Sequence, residues 1–531
     1  MTTLLLHPPA VKPAEPPLGP AILLAALRRR GIDARMIDAN LKAFLYLLQP
    51  RRLAAAAGPA SSTAVKRALR HAPAALALLR SPAAFGSFPR YRTAVEHLNR
   101  AFGVYGEGAE RLSLGDYSHG TLSEFAPADL ERLSAGEEST LFHDYFVNEL
   151  LPQVAAMKPR TVSLSVNYRH QVLPAFELAG LLRRWMPGLR IVGGGGMFTS
   201  WRRTLREADL RFSAFDHIVF GPGEELLPRI ISGEGGPDYF LEEGSEIDFR
   251  PDFDRVDLKD YFSPLPVLPV GASRGCYWQR CLFCPEAATP THPYAAHPAA
   301  DLPDLLLDLR RRNGTTRFHL TDNAVPVAAL RRVAARRADL AGIFWHGFVR
   351  FEPALLDSGL AEGLAAAGCT MLQLGLESGS QAVLDRLGKG TRLEDAAAIL
   401  ERLHEAGIST YVYVMLGTPG ETEEDAVRTL DFLEEHAARI SFLNISIMNL
   451  PRESSLVGED GGAEIRSSAL LDDGQPLGLY RSFEPATGWG RGEARRFLRR
   501  RLLASPAVRE IVNRVPPWFT SNHAPFFPPS T

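Results

Sequence analysis

Three of the chain's four cysteines, Cys276, Cys281 and Cys284, fall in one short stretch, and the fourth, Cys369, is far from them. Three thiols cannot pair off as structural disulfides. Thiolates packed this closely more often hold a metal ion or an iron–sulfur cluster. A structural zinc site would need a fourth ligand, and His292 and His297 are the nearest imidazoles. A four-iron cluster on three cysteines has a different consequence, because one iron is left without a protein ligand and is open to a small molecule. Taken alone, the cysteines leave both chemistries standing. Cys369 follows an Ala-rich helical stretch and reads as a small buried thiol.

The elements around the cysteines alternate strand and helix. Val267–Val270 reads as a strand that delivers the cysteine loop at its carboxyl end. Further strands are predicted at Phe318–Thr321, Ile343–Phe351, Met371–Leu376, Thr410–Leu416 and Ile440–Met448, six in all with the first. Polar and glycine-rich loops follow several of them: Asp322 and Asn323, then Glu377 and Ser378, then the turn 417–422. Thr391 with Glu394 has the spacing of a capping box, and Gly407 is placed to end that helix. Thr422 precedes three acidic residues suited to a helix N-terminus. This pattern predicts a partial (β/α)6 barrel over 266–455, with loops after the strands carrying the chemistry.

Ahead of it, 1–235 reads as a doubly wound, Rossmann-like α/β domain. Strand Thr3–Leu6, a helix ending near Gly31 and strand Asp33–Ile37 open it. A mostly helical insert at 41–150 interrupts the alternation, with 54–57 and 65–79 its clearest helices. Strand Thr161–Val166, helix Leu173–Trp185 and strands Leu189–Val192 and His217–Phe220 resume it. Gly193, Gly194, Gly195 and Gly196 follow one strand; Gly221, Gly223 and Glu224 follow another. Glycines at the carboxyl ends of parallel strands let a ligand approach the backbone. Residues 236–265 read as a linker and 456–531 as a C-terminal extension, with 461–479 loop-like and 491–503 helical.

In this order the motifs resemble the radical S-adenosylmethionine (SAM) enzymes, and those preceded by a cobalamin-binding domain in particular. The cysteine spacing here is C-x4-C-x2-C, one residue longer than the commonest family spacing. The resemblance covers about 1–40 and 160–455. It implies a [4Fe-4S] cluster on Cys276, Cys281 and Cys284, with SAM on the fourth iron. It places Phe283 against the adenine, Thr321, Asp322 and Asn323 near the SAM amino group, and Glu377 and Ser378 near ribose and carboxylate. It further implies cobalamin at Leu18, Gly19, Ser165, Asn167, Gly193–Gly196, Gly221, Gly223 and Glu224. The D-x-H-x-x-G signature of a cobalt-ligating histidine is absent, so no histidine is expected on cobalt. The activity implied is reductive cleavage of SAM to methionine and a 5′-deoxyadenosyl radical, which abstracts hydrogen from an unactivated carbon. Methylation of that carbon from cobalamin, remethylated by a second SAM, is the expected outcome; rearrangement or cyclisation without methyl transfer is the alternative. An expected substrate is a small molecule or peptide, and an expected electron donor is a flavodoxin or ferredoxin. A zinc-binding regulatory module is the reading from another class.

Composition bounds the rest. The 531 residues are 45% hydrophobic and 23% charged, with a formal net charge of −2, which gives no bulk attraction to nucleic acid or anionic membrane. The Arg-rich stretch 491–501 reads as a solvated helix face. The N-terminus lacks a basic region before its short apolar run, and the Ala/Leu-rich 72–79 is too short to span a bilayer. Few cysteines fit a reducing cytoplasm. In the tail, Asn522 and His523 are candidates to line the site, with a packing role expected.

Overall fold

The computed structural model describes residues 2–58, 61–106, 110–242, 250–297, 301–457, 464–471, 474–486 and 489–529. The chain divides into two compact units. The first is Met1–Pro269 with Gln475–Leu477 and Pro517–Phe519; the second is Val270–Gly474 with Gly478–Pro516 and Thr520–Thr531.

In the first unit six strands form one parallel sheet. They are Thr3–His7, Ala34–Asp38, Thr161–Ser165, Arg190–Gly194, His217–Phe220 and Phe240–Glu242. The second of these lies at one edge, beside the first, and the others follow in chain order. The first and third strands are buried along their whole length, as strands covered on both faces must be. Phe240–Glu242 is a strand that alternation did not reveal, because three residues are too few to show a period.

Helix Val172–Trp185 is apolar nearly all round and correspondingly buried. Gly180 lets helix Pro127–Ala135 of the insert approach closely, since a Cβ there would collide with the backbone of Ser134. Glu177 on the same helix is buried and accepts from Thr140 N at 2.9 Å and Thr140 Oγ1 at 2.5 Å, with His143 Nδ1 at 2.7 Å. Burial raises its pKa, and those partners oppose the rise. The insert is mainly helical, with Ala39–Leu47, Pro50–Ala57, Thr63–Leu79 and Phe88–Phe102 its main elements. It also holds an antiparallel pair, Glu110–Leu112 with Tyr117–His119, too short to be legible in sequence.

The segment expected to be a linker is packed against this unit where it is described. Arg28 Nη1 bonds Asp252 at 2.6 Å, Tyr261 OH donates to Asp38 at 2.8 Å, and Phe253 and Phe262 are buried. Phe249 lies outside the described residues. From far along the chain, Leu477 N donates to Phe125 O and Leu477 O accepts from the Trp201 indole at 2.8 Å.

In the second unit strands Val267–Val270, Arg317–Leu320, Phe344–Val349, Cys369–Glu377, Ser409–Leu416 and Phe442–Ile447 lie side by side in sequence order, helices running between them. This is a partial (β/α)6 barrel. Thr422 caps helix Glu423–Glu435 in a reciprocal box with Asp425. The expected Thr391–Glu394 box does not form. Helix Leu393–Glu405 starts one residue later, and Gln381 Oε1 accepts from Leu393 N at 3.0 Å instead. Cys369 opens a strand and is buried.

The tail is more ordered than its composition indicates. Ile465–Leu470 and Tyr480–Pro485 pair antiparallel, with Leu450–Pro451 on the far side of the second. Residues 461–463 and 472–473 of the expected loop lie outside the described residues. His523 is 1% exposed, and Ala524 joins Met371, Tyr411 and Phe442 in one apolar cluster, so His523 is a packed residue. Among the described residues no helix is long and apolar enough to cross a membrane.

Candidate functional site: a cysteine loop at the carboxyl ends of the strands

Asp322 anchors the entry to the cysteine loop. It is buried just past strand Arg317–Leu320, and its carboxylate accepts from Ala272 N at 3.0 Å and from Ser273 Oγ at 2.6 Å. Burial raises its pKa, and those donors hold it back. Thr321 N and Oγ1 both donate to Val270 O, at 2.8 and 3.1 Å. Thr321 and Asn323 are exposed on either side of Asp322.

The loop itself is docked onto the turn 387–390. Leu282 N donates to Leu387 O at 3.0 Å and the Trp278 indole donates to Gly388 O at 3.0 Å. Gly390 has φ +67, and a Cβ there would run into the Trp278 ring. Ser454 Oγ holds Leu282 O at 2.7 Å, while Leu282 and Phe283 pack on the apolar cluster of Leu387, Met415 and Met448.

All three thiols are free, Cys281 buried and Cys276 and Cys284 half-buried. Burial raises the Cys281 pKa against the pull of Lys389 and Arg350. It raises Cys284 too, against the N–H groups of Ala287 and Glu286, with Cys281 and Cys276 close enough to add to the rise. The donor set suits a cluster better than a single ion. Three neighbouring thiols are present, yet among the described residues no three His, Cys, Asp or Glu side chains converge as ligands of one metal ion. In a cluster each cysteine takes its own iron. Of the two nearest imidazoles, His297 Nδ1 lies 3.5 Å from Asp301, and burial, with Arg274, pushes the His292 pKa down to about 4.

The carboxyl end of strand Cys369–Glu377 faces the same loop. Glu377 adopts φ +68, a left-handed conformation costly for a side-chain-bearing residue and commonest at functional sites. Its Oε1 pairs with Lys389 Nζ at 2.8 Å, both groups buried. Gly375 makes room for the pair, because a Cβ there would meet both charged atoms. The Lys389 ammonium also sits 5.7 Å from the Phe283 ring centre. Ser378 turns inward, 3.2 Å from Thr429 Oγ1 and accepting from Ser380 N.

Cys281, Phe283 and Glu377 are thus gathered around Lys389 and Arg350. Asp322 and Ser378 are internal supports. Arg350, Lys389 and Trp278 were not singled out from sequence. Arg350 directly follows a strand, a position the barrel rule marks; Lys389 had only flanking glycines to signal it.

In the first unit the glycine edge divides in two. A Cβ on Gly193 would meet Ile218, Phe198 and Phe215 at 2.7–3.1 Å, so that glycine serves core packing. Gly195 has φ +103 and a Cβ there would lie 2.5 Å from Val166 O. A Cβ added at Gly194, Gly196, Gly19 or Gly221 would meet no atom beyond the adjoining residues closer than 3.5 Å, so these positions have room beside their backbone. Gly223 would press on Leu23 at 3.3 Å. Ser165 Oγ accepts from Asn167 Nδ2 at 3.0 Å, and Asn167 Oδ1 accepts from Gly196 N at 3.0 Å. A Cβ added at Gly19 would lie 3.8 Å from Ser165 Oγ, and Leu18 is the first residue of helix Leu18–Arg29. Glu224 is buried, with its backbone oxygen on Arg30. His7, unnoticed in the sequence, ends the first strand beside Gln171, and burial lowers its pKa against the opposing pull of Asp38. An open, glycine-floored edge fits the flat face of a corrin.

Residues 271–433 match the Radical SAM superfamily. The chain therefore carries a radical SAM domain behind an α/β sheet domain. The fold is similar to that of TsrM from Kitasatospora setae, a radical SAM methyltransferase solved with cobalamin and a [4Fe-4S] cluster, at TM-score 0.59. Identity there is 17%, over 96% of this chain and 92% of that one. OxsB, a cobalamin-dependent SAM radical enzyme, gives TM-score 0.57 at 15% identity, over 90% of this chain and 64% of that one. In sequence, the tryptophan 2-C-methyltransferase of Streptomyces laurentii is 27% identical over 212 residues, 37% of this chain. The match spans 35% of that enzyme, about a third of its length.

Proposed function

We propose that this protein is a cobalamin-dependent radical SAM methyltransferase acting on an unactivated carbon of a small molecule or peptide. The observation that carries the reading is the cysteine loop, held beside Glu377 and Lys389 at the carboxyl ends of a radical SAM domain's strands. The fold shared with TsrM and OxsB supports the cobalamin part. When bound, the [4Fe-4S] cluster supplies one-electron cleavage of SAM, and cobalamin supplies a transferable methyl group.

The chain's own residues bind and orient. Cys276, Cys281 and Cys284 hold three irons, and Phe283 offers an aromatic face to the adenine. Lys389, fixed by Glu377, sets a cation beside that ring. Asp322 keeps the loop entry in register through Ala272 and Ser273. Gly19, Gly194 and Gly221 leave the space a corrin needs. An external flavodoxin or ferredoxin delivers electrons, and a reducing cytoplasm is the compartment that keeps such thiols free.

Anaerobic reconstitution followed by turnover tests this. About four irons and one cobalamin per chain are expected, and candidate substrates should yield S-adenosylhomocysteine together with 5′-deoxyadenosine. Deoxyadenosine without S-adenosylhomocysteine would point to rearrangement or cyclisation. Stoichiometric zinc without iron would point to a regulatory module.

A further inference from the structure

We propose that Arg350 is a positioning residue that sets the reduction potential of the cluster through Cys281, an inference that rests on the cluster reading above. Arg350 is 4% exposed, and each of its three nitrogens has a partner. Nε donates to Glu352 Oε1 at 3.1 Å, Nη2 to Lys389 O at 2.5 Å, and Nη1 points at Cys281 Sγ, 3.8 Å away. The guanidinium carbon lies over the Trp278 ring, 4.2 Å from its centre, so the group is held at its face as well as at its edges. Tyr277 OH donates to the same Glu352 oxygen at 2.7 Å. One buried cation therefore ties the strand end to both arms of the site: Tyr277, Trp278 and Cys281 from the cysteine loop, and Lys389 from the turn it docks on.

This arrangement exceeds what holding the loop requires. Trp278 and Leu282 already bond the turn through Gly388 O and Leu387 O. The additional contact is a charged donor on a sulfur. When the cluster accepts one electron from a low-potential donor, no bond forms or breaks, and the gained negative charge spreads over iron and sulfur. A fixed guanidinium on a ligand sulfur stabilises that added charge more than the oxidised cluster. Arg350 thus eases reduction. Glu352, bonded to the far side of the guanidinium, opposes it. Lys389 is held by Glu377 and acts in the same sense as Arg350 from a second direction.

The test is a potentiometric titration of the reconstituted full-length protein, with the reduced cluster read by electron paramagnetic resonance and iron content measured in parallel. The variants are R350Q, R350K and E352Q. At the potential where half the wild-type cluster is reduced, the reduced-to-oxidised ratio of R350Q should fall about tenfold, the scale of one charged hydrogen bond. R350K should fall less. E352Q keeps the guanidinium and should shift the midpoint the opposite way, which a purely structural role would not produce. Equal midpoints in fully loaded R350Q and E352Q, or shifts of one sign in both, would overturn the proposal. If R350Q fails to hold iron, E352Q decides alone, and an unmoved or lowered E352Q midpoint overturns it. Wild-type protein that takes up no iron overturns the cluster reading itself, a failure distinguishable from the others.

Discussion

Consecutive glycines at the carboxyl end of strand Arg190–Gly194 give a test in which the protein serves as its own control. Alanine at Gly193 places a methyl 2.7 Å from Ile218 Cδ1 and 3.1 Å from two phenylalanine rings. Overpacking of that kind costs about 1–3 kcal/mol, against roughly 0.5–1 kcal/mol gained by replacing a strand glycine, so a net loss is expected. Alanine at Gly195 must hold φ +103, a glycine region costing on the order of 1–3 kcal/mol, and it also meets Val166 O. Alanine at Gly194 meets nothing closer than Val219 O at 3.5 Å. Its stability should be unchanged or higher by about 0.5 kcal/mol. If the space above Gly194 receives a corrin, that same methyl occupies the ligand's place. Hydroxocobalamin titration under anaerobic conditions should then show a Kd raised about tenfold or more, about 1.4 kcal/mol. Denaturant unfolding of the three variants supplies the stability half. A Gly194→Ala protein of wild-type stability that binds cobalamin normally would refute the placement of the ligand at this edge.

Other consequences are as direct. Replacing Cys276, Cys281 or Cys284 with Ala should abolish SAM cleavage and lower bound iron, whereas Cys369→Ala should keep full iron, because Cys369 is buried away from the loop; iron and sulfide assays read this. Asp322→Asn should lower stability by about 1–3 kcal/mol and iron retention with it, since the anchor on Ala272 N and Ser273 Oγ weakens. Glu421 is fully buried, and burial raises its pKa from 4.5 to about 7. The folded chain thus binds the proton more tightly than the unfolded one, and stability should fall as pH rises from about 4.5 to about 7. The change amounts to about 3 kcal/mol at this site. Unfolding followed against pH should show that slope in the wild type and a shallower one in Glu421→Gln.

The local chemistry was legible in the chain because it is encoded by residue type and spacing. Three close thiols select metal or cluster chemistry whatever surrounds them. A strand followed by a polar or glycine-rich loop, repeated, specifies a parallel sheet with its loops on one side, since helical crossovers return each strand in the same direction. Thr422 with Asp425 capped its helix as the local pattern demands, while Thr391 lost the same competition to Gln381, a residue ten positions earlier. Tertiary structure alone decided which polar residues face the cysteines and which support them. Asp322 and Glu377 look equivalent in sequence, each acidic and each after a strand. In the fold Asp322 bonds backward to Ala272 and Ser273, and Glu377, turned by its φ of +68, bonds Lys389 beside Phe283. Apart from its place just after strand Phe344–Val349, nothing in the chain distinguishes Arg350 from the other arginines. Its role follows from burial among Cys281, Trp278, Glu352 and Lys389, residues spread over more than a hundred positions. Long-range packing creates that neighbourhood, and local preference, which sees only a few residues at a time, cannot.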